Sequence, residues 1–268
     1  MPGFSINHMT MANASYQELL DVASGLNCVG VELRTDLAGA LFSGSSAEVA
    51  ALSAQSKGLR ILALSEVKAF NDLSDGKLEQ AESLMKIARS CGAEAISLIP
   101  RNDGKFTDQR VRKSQLRQAL AALEPLLRSY ELIGMIEPLG FEESSLRYKV
   151  DVVDVIETLG SSDRFKIVHD TFHHHLSGED AFYPDHTGIV HVSGVVDFNL
   201  ASHQMQDTHR VLVNKFDCLD NVGQIKTLLN EGYTGPFSHE AFSPQVHAFT
   251  DPGAELFGSF NYITSSLG

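Results

Sequence analysis

The chain has 268 residues, 43% of them hydrophobic, with a mean hydropathy of -0.06 and a formal net charge of -13. That is enough apolar material for a large core, and so acidic a balance repels phosphate backbones and disfavours nucleic acid as a bulk partner. No stretch approaches the ~20 apolar residues of a membrane helix, and the start, Met1 to Asn7, lacks the basic region and long apolar run of a signal peptide.

Strand-like and helix-like segments alternate along the chain. Phe4-Ser5-Ile6-Asn7 reads as a first strand. Ser15 then stands as an N-cap with Glu18 three residues on, a capping box before the apolar stripe Leu19, Leu20, Val22, Ala23 and Leu26. Val29 to Leu33 is a second strand, Ala47 to Lys57 a helix closed by Gly58, and Leu59 to Leu64 a third strand. A helix from about Gly76 to Cys91 precedes the strand Ala95 to Ile99. A long helix from Asp108 to Tyr130 follows, with Pro125 expected to kink or break it near its end.

The second half repeats the rhythm. Ile133-Gly134-Met135-Ile136 is a strand ending at Glu137, Tyr148 to Leu159 a helix followed by Gly160, and Phe165 to Val168 a strand ending at His169-Asp170. Phe172 to Gly188 is hard to read, with a short helix expected near Gly178-Glu179-Asp180. Ile189-Val190 leads to His191, Asp220 caps a helix over Asn221 to Asn230, Pro236 to His239 leads to Glu240, and a last helix covers Gly253 to Ser265.

Eight such βα steps in one chain match the size and rhythm of a single (β/α)8 TIM barrel spanning 1–268. The runner-up, a doubly wound open sheet, would want a glycine-rich dinucleotide loop near the first strand, and none is present. In a barrel, residues at the C-terminal ends of strands line the active site. Asn7, Glu32, Glu66, Arg101, Glu137, Asp170, His191 and Glu240 all fall at or just beyond such ends. Two Glu carboxylates, an Asp carboxylate and an imidazole at one rim suit one divalent cation such as Mn2+, Zn2+ or Co2+.

These residues resemble the xylose-isomerase-like barrels of sugar isomerases and epimerases, and in particular the inosose isomerase, tagatose 3-epimerase and hydroxypyruvate isomerase group. The resemblance covers essentially the whole chain and is strongest from Glu137 onward. It implies that Glu137, Asp170, His191 and Glu240 hold the metal. It also implies that His173, three residues after Asp170, and Glu143, six after Glu137, contact substrate. The family's arginine after strand seven falls at Asp197 here, so the pattern departs, and Arg210 in a longer loop is the substitute. Asn7 is a further candidate substrate contact.

The implied reaction is isomerisation or epimerisation of a keto-sugar or keto-polyol (an inosose-like cyclitol included), through a cis-enediolate that the metal stabilises. Glu137 and Glu240 are the proton-transfer groups. A non-phosphorylated substrate is favoured, and homo-oligomers are frequent among such proteins. Two other readings stand beside this one. An endonuclease IV-like zinc phosphodiesterase would use Asp170-x-x-His173 and Asp207-x-His209, but the histidines it wants after strands two or three and four are missing. A catalytically inactive sugar-binding barrel is the other. Of the remaining signals, Glu32 and Glu66 read as polar groups of the barrel interior, His169 as either a support for the site or a packed histidine, and His174 and His175 as ordinary loop or helix residues. Phe70, Phe141 and Phe172 read as packing or pocket walls. Cys28, Cys91 and Cys218, odd in number and without a CxxC pair, read as reduced thiols of a cytoplasmic protein.

Overall fold

The structure, a computed structural model, describes residues 2–74, 76–105 and 108–268. Eight parallel strands close into a barrel in sequence order: β1 Gly3–Asn7, β2 Gly30–Arg34, β3 Arg60–Lys68, β4 Ala95–Ile99, β5 Ile133–Ile136, β6 Phe165–Asp170, β7 Thr187–Val192 and β8 Pro236–His239. The helices are α1 Tyr16–Gly25, α2 Ala47–Ser56, α3 Lys77–Cys91, α4 Gln109–Tyr130, α5 Lys149–Leu159, α6 Thr171–Ser177, α7 Asn221–Asn230, α8 Pro244–His247 and α9 Pro252–Leu267. Closure leaves the sheet no open edge, and the open-sheet alternative falls. Among the described residues no helix is long and apolar enough to cross a membrane, and the three cysteines are free thiols.

Strand alternation decides what faces the barrel interior. Leu62, Ala63, Ala95, Met135, Val168 and Ile189 form one buried cluster there. Met135, Val168 and Ile189 each stand two residues before Glu137, Asp170 and His191, so the strand period carries the apolar plug upward into the polar rim. The register pairs Asp170 with His191 and His191 with Ser238, which brings these ends level.

Local chemistry fixes most element ends as read from the sequence. The Ser15–Glu18 capping box is present, and Asp220 accepts from Gly223 N at the start of α7. Three features differ. Pro125 does not break α4, because Leu116, Leu120, Leu123 and Leu127 on both sides of it are buried and hold the helix to the barrel. β3 extends to Lys68, so Glu66 lies within a strand rather than beyond its end. The short helix expected near residues 178–180 instead precedes them. α6 starts where Asp170 Oδ1 accepts from Phe172 N (2.8 Å) and His173 N (3.1 Å), and it stops at Gly178 in the left-handed conformation. Glu179 turns back to cap α5, accepting from Lys149 N and Val150 N at 2.9 Å each.

One glycine couples this segment to the β5 loop. A Cβ added at Gly140 would sit 2.2 Å from the His173 carbonyl oxygen and 2.7 Å from Leu176 Cβ. The nearest atom is backbone, so no rotamer relieves the clash. Gly140→Ala should therefore cost about 1–3 kcal/mol or more, read as a lower urea midpoint at unchanged m-value, whereas Gly258→Ala, with open space around it, should leave the midpoint in place or raise it.

Candidate functional site

Glu137, Asp170, His191 and Glu240, all buried, converge at the C-terminal mouth of the barrel. Each offers one ligand atom, and these atoms lie within 4.8 Å of one another. His191 Nδ1 faces the three carboxylates, 3.1 Å from Glu240 Oε2, 3.6 Å from Glu137 Oε1 and 3.8 Å from Asp170 Oδ2. Backbone pairing aims the two glutamates. Glu137 N donates to Leu98 O, and Glu240 N donates to Val192 O. Thr10 pins both sides of Glu240, its hydroxyl donating to His239 O (2.6 Å) and accepting from Ala241 N (2.9 Å).

A cavity of about 540 Å³ opens onto this cluster, lined among others by Arg34, Glu137, His173, Arg210, Glu240 and Phe242. Arg210 sits deep in it although it comes from a long loop after β7. Its backbone carbonyl accepts from Phe242 N and Ser243 N, which docks the loop onto the end of β8. Its guanidinium donates to Asp170 Oδ2 (2.5 Å), Glu240 Oε2 (3.0 Å) and Ser193 Oγ (2.8 Å), and lies over the Phe172 and Phe242 rings.

A family model for the xylose isomerase-like TIM barrel matches residues 20–259. The chain belongs to this family. A xylose isomerase domain containing protein from Salmonella typhimurium LT2 is 30% identical over 99% of this chain and 97% of its own, with a TM-score of 0.89. The IolI protein, solved with a zinc atom bound, is 18% identical over 100% and 98% of the two chains, TM-score 0.87. D-psicose 3-epimerase from Clostridium cellulolyticum H10, solved with D-tagatose, is 14% identical over 100% and 99%, TM-score 0.74. At 18% and 14% identity the last two show the fold alone. No curated protein matches the sequence.

The remaining candidates occupy different positions around this xylose isomerase-like centre. His173 lines the cavity, is 4% exposed and has an Nδ1 with no protein partner. Asn7 is fully buried and does not line the cavity; its Nδ2 donates to Glu32 Oε1 (3.3 Å) and Glu240 Oε1 (3.1 Å). Glu143 is exposed on the turn after β5 and lines two neighbouring hollows instead of the main cavity. His169 braces α6 from behind. Its Nδ1 accepts from Lys149 Nζ (3.1 Å), which also donates to His174 Nδ1 (2.8 Å), and its Nε2 donates to Gln224 Oε1 (3.0 Å). Phe141 lines the cavity, while Phe70 and Phe172 are packed. His209 accepts from Gln206 N on the loop and does not line the cavity.

One participant escapes sequence reasoning, and a second takes a role other than the one read for it. Arg34, at the end of β2, donates to Glu240 Oε1 (2.8 Å) and pairs with Asp36 and Glu66. Its signal was available: it stands two residues after Glu32, on the same strand face. Glu32, read as interior polar filling, lies 3.1 Å from His191 Nε2 through Oε2.

Burial drives the electrostatics. It pushes the Glu137 carboxyl up to about 7, with the Glu240 and Asp170 charges acting the same way against His191. Burial opposes charge on His191, yet Glu240, Glu32 and Glu137 together hold its imidazole well above the usual histidine range. Glu240 has the opposite fate. Despite burial, His191, Arg210 and Arg34 hold it well below the carboxylate range. Burial also lowers His173.

The donor set fits a single divalent cation. Four buried carboxylates, Glu32, Glu137, Asp170 and Glu240, face two buried guanidiniums, Arg34 and Arg210, and Arg34 is further shared with Asp36 and Glu66. One doubly charged ion offsets the excess of two in the inner set of four carboxylates and two guanidiniums, while Asp36 and Glu66 are also met by Lys68. Without it, protons on Glu137 and His191 must do so. The imidazole nitrogen facing the carboxylates is a buried atom without a hydrogen-bond partner, and an ion bound among these groups is one physical account of such an atom.

Proposed function

We propose that this chain is a divalent-metal-dependent isomerase or epimerase of a keto-sugar or keto-cyclitol. The observation that carries the reading is the convergence of Glu137, Asp170, His191 and Glu240 beneath a cavity at the barrel mouth. Family membership and the IolI and D-psicose 3-epimerase neighbours support it. A bound divalent cation supplies Lewis-acid polarisation of a substrate carbonyl. Glu137, Asp170, His191 Nδ1 and Glu240 are the residues that hold it.

Glu137 and Glu240 flank the same point but are not equivalent. Both Glu240 oxygens are engaged, Oε1 by Arg34 and Asn7, Oε2 by Arg210. Neither arginine bonds Glu137, and its surroundings favour the protonated form. Groups whose environments diverge in this way divide the proton work between them. Glu137 is therefore the better placed group to take the proton from the hydroxyl-bearing carbon beside the carbonyl. Glu240, fixed as an anion, orients the site and faces the return path. His173 and Arg210 contact the substrate oxygens; Asn7 and Glu143, which do not line the cavity, are left out of these contacts. Arg34, Arg101 and Arg210 already pair with carboxylates along the wall, so an uncharged polyol fits better than a phosphorylated one.

The phosphodiesterase alternative needs further cations beside the first. Among the described residues one group of His, Asp and Glu side chains has the spacing to hold an ion, and it is the group already assigned. Incubating the Mn2+-loaded protein with ketohexoses, ketopentoses and inososes in D2O tests the reading. Deuterium at the carbon beside the carbonyl is the expected result, and no exchange with any member of the panel would overturn it in favour of an inactive binding barrel.

A further inference from the structure

We infer that Glu32 is a positioning residue for the metal centre, accepting a hydrogen bond from the Nε2–H of His191 and so fixing Nδ1 as the nitrogen offered to a cation. The inference rests on the metal-centre reading above. His191 Nε2 lies 3.1 Å from Glu32 Oε2, and the two side chains are 2% and 1% exposed. A carboxylate only accepts, so a neutral imidazole in this position carries its proton on Nε2. Nδ1 then bears the lone pair. It points among Glu137, Asp170 and Glu240, coming within 3.1 Å of Glu240 Oε2 without the alignment of a hydrogen bond. The opposite tautomer would leave two lone-pair groups, Nε2 and Glu32, facing each other in a buried space.

Glu32 is itself held in orientation. Its Oε1 accepts from Asn7 Nδ2 (3.3 Å), and Asn7 Oδ1 accepts from Met9 N (3.0 Å). The backbone amide fixes which end of the Asn7 side chain is the donor, Asn7 fixes Glu32, and Glu32 fixes the imidazole. This assigns Asn7 a place in the same chain of orientation, below the cavity floor and away from substrate. Partners of this kind behind a metal-binding histidine set ring orientation and ligand basicity.

Glu32→Gln breaks the chain with minimal change of shape. A glutamine amide must present its NH2 either to His191, which drives the ring proton onto Nδ1, or to Asn7 Nδ2, which sets two donors face to face. Zn2+ affinity, measured by competition with a chromogenic chelator, should fall roughly 10–100-fold in Glu32→Gln, and Glu32→Asp, which keeps the charge, should recover part of the loss. Long-range 1H–15N spectra of the Zn2+-loaded native protein should place the His191 proton on Nε2. Zn2+ affinity in Glu32→Gln within about threefold of native, well inside the loss expected of such a partner, overturns the inference. So does a His191 proton on Nδ1 in the loaded native protein, a measurement that does not depend on any variant folding. If the native protein takes up no Zn2+, the proposed function falls together with this role. Equal affinity in both proteins removes the role of Glu32 alone.

Discussion

Glu137→Gln should abolish most turnover while leaving the fold intact, and Glu240→Gln should lose both. The contrast follows from what surrounds each carboxylate. Glu137 is held near its neutral form by burial, up to about 7, and a glutamine mimics the neutral acid in size and charge. The variant lacks only the capacity to take and return a proton, a loss of roughly 10²–10⁴ in rate for a general base. Glu240 is clamped by Arg34 at 2.8 Å and Arg210 at 3.0 Å. Removing its charge leaves two buried guanidiniums facing an amide on one side, with Asp36 still on Arg34 and Asp170 still on Arg210, so the loss should approach but not exceed the ~3–5 kcal/mol of a buried ion pair broken from one side. Deuterium exchange into a turned-over ketose and the urea midpoint, measured on both variants, separate the two roles. Exchange at native rate in Glu137→Gln would remove that residue from the chemistry; an unchanged midpoint in Glu240→Gln would show that the arginines do not depend on it.

The barrel was legible because parallel strands buried on both faces write themselves as unbroken apolar runs. Ile133 to Ile136, Phe165 to Val168 and Ile189-Val190 each stop at a titratable residue, so the strand-end rule sufficed to gather Glu137, Asp170 and His191 before any coordinates. What stayed hidden depends on contacts across the barrel. Arg34 reaches Glu240 over a separation of 206 residues, and nothing local to Leu33-Arg34-Thr35 reports that partner. Glu32 gave the signal of a strand-end carboxylate, but whether it meets substrate, metal or another side chain depends on side-chain reach across neighbouring strands. α6 was misplaced for a different reason. Asp170 serves as helix cap through Oδ1 and as site residue through Oδ2, and a residue read as a ligand was not also read as a helix start. The histidines that follow are weak helix formers, so only the cap and Gly178 mark the turn. Arg210 enters only as the substitute for the arginine that the family resemblance implies, whose offset falls at Asp197. Its burial comes from backbone docking onto Phe242 and Ser243, which no spacing rule encodes.

Stripping the metal should destabilise the protein more at pH 8 than at pH 6. In the metal-free protein the carboxylate cluster is held together by protons. Glu137 is raised to about 7 from 4.5, and His191 is raised well above 6.5. Groups whose folded values lie above their unfolded ones contribute stability that is complete below the unfolded value and is lost as pH rises through the folded one. The contribution of these two groups to the metal-free protein is therefore lost from about pH 4.5 upward through neutrality, whereas the buried histidines outside the centre act alike with and without the ion. A cation needs these same groups deprotonated, so its apparent affinity should rise by roughly tenfold per pH unit for each proton displaced. The two trends pull apart as pH rises. At a free Mn2+ concentration of about a hundred times Kd the ion contributes about 2.7 kcal/mol, or ~5–10 °C in Tm for a chain of this size. Thermal scans of chelator-treated and Mn2+-restored protein at pH 6, 7 and 8 should show that gap widening with pH, and calorimetric titration in buffers of different ionisation enthalpy should show proton release on binding. A gap that is constant or narrows with pH would mean that Glu137 and His191 are not the groups that a cation displaces protons from, and the four-residue centre would have to be abandoned.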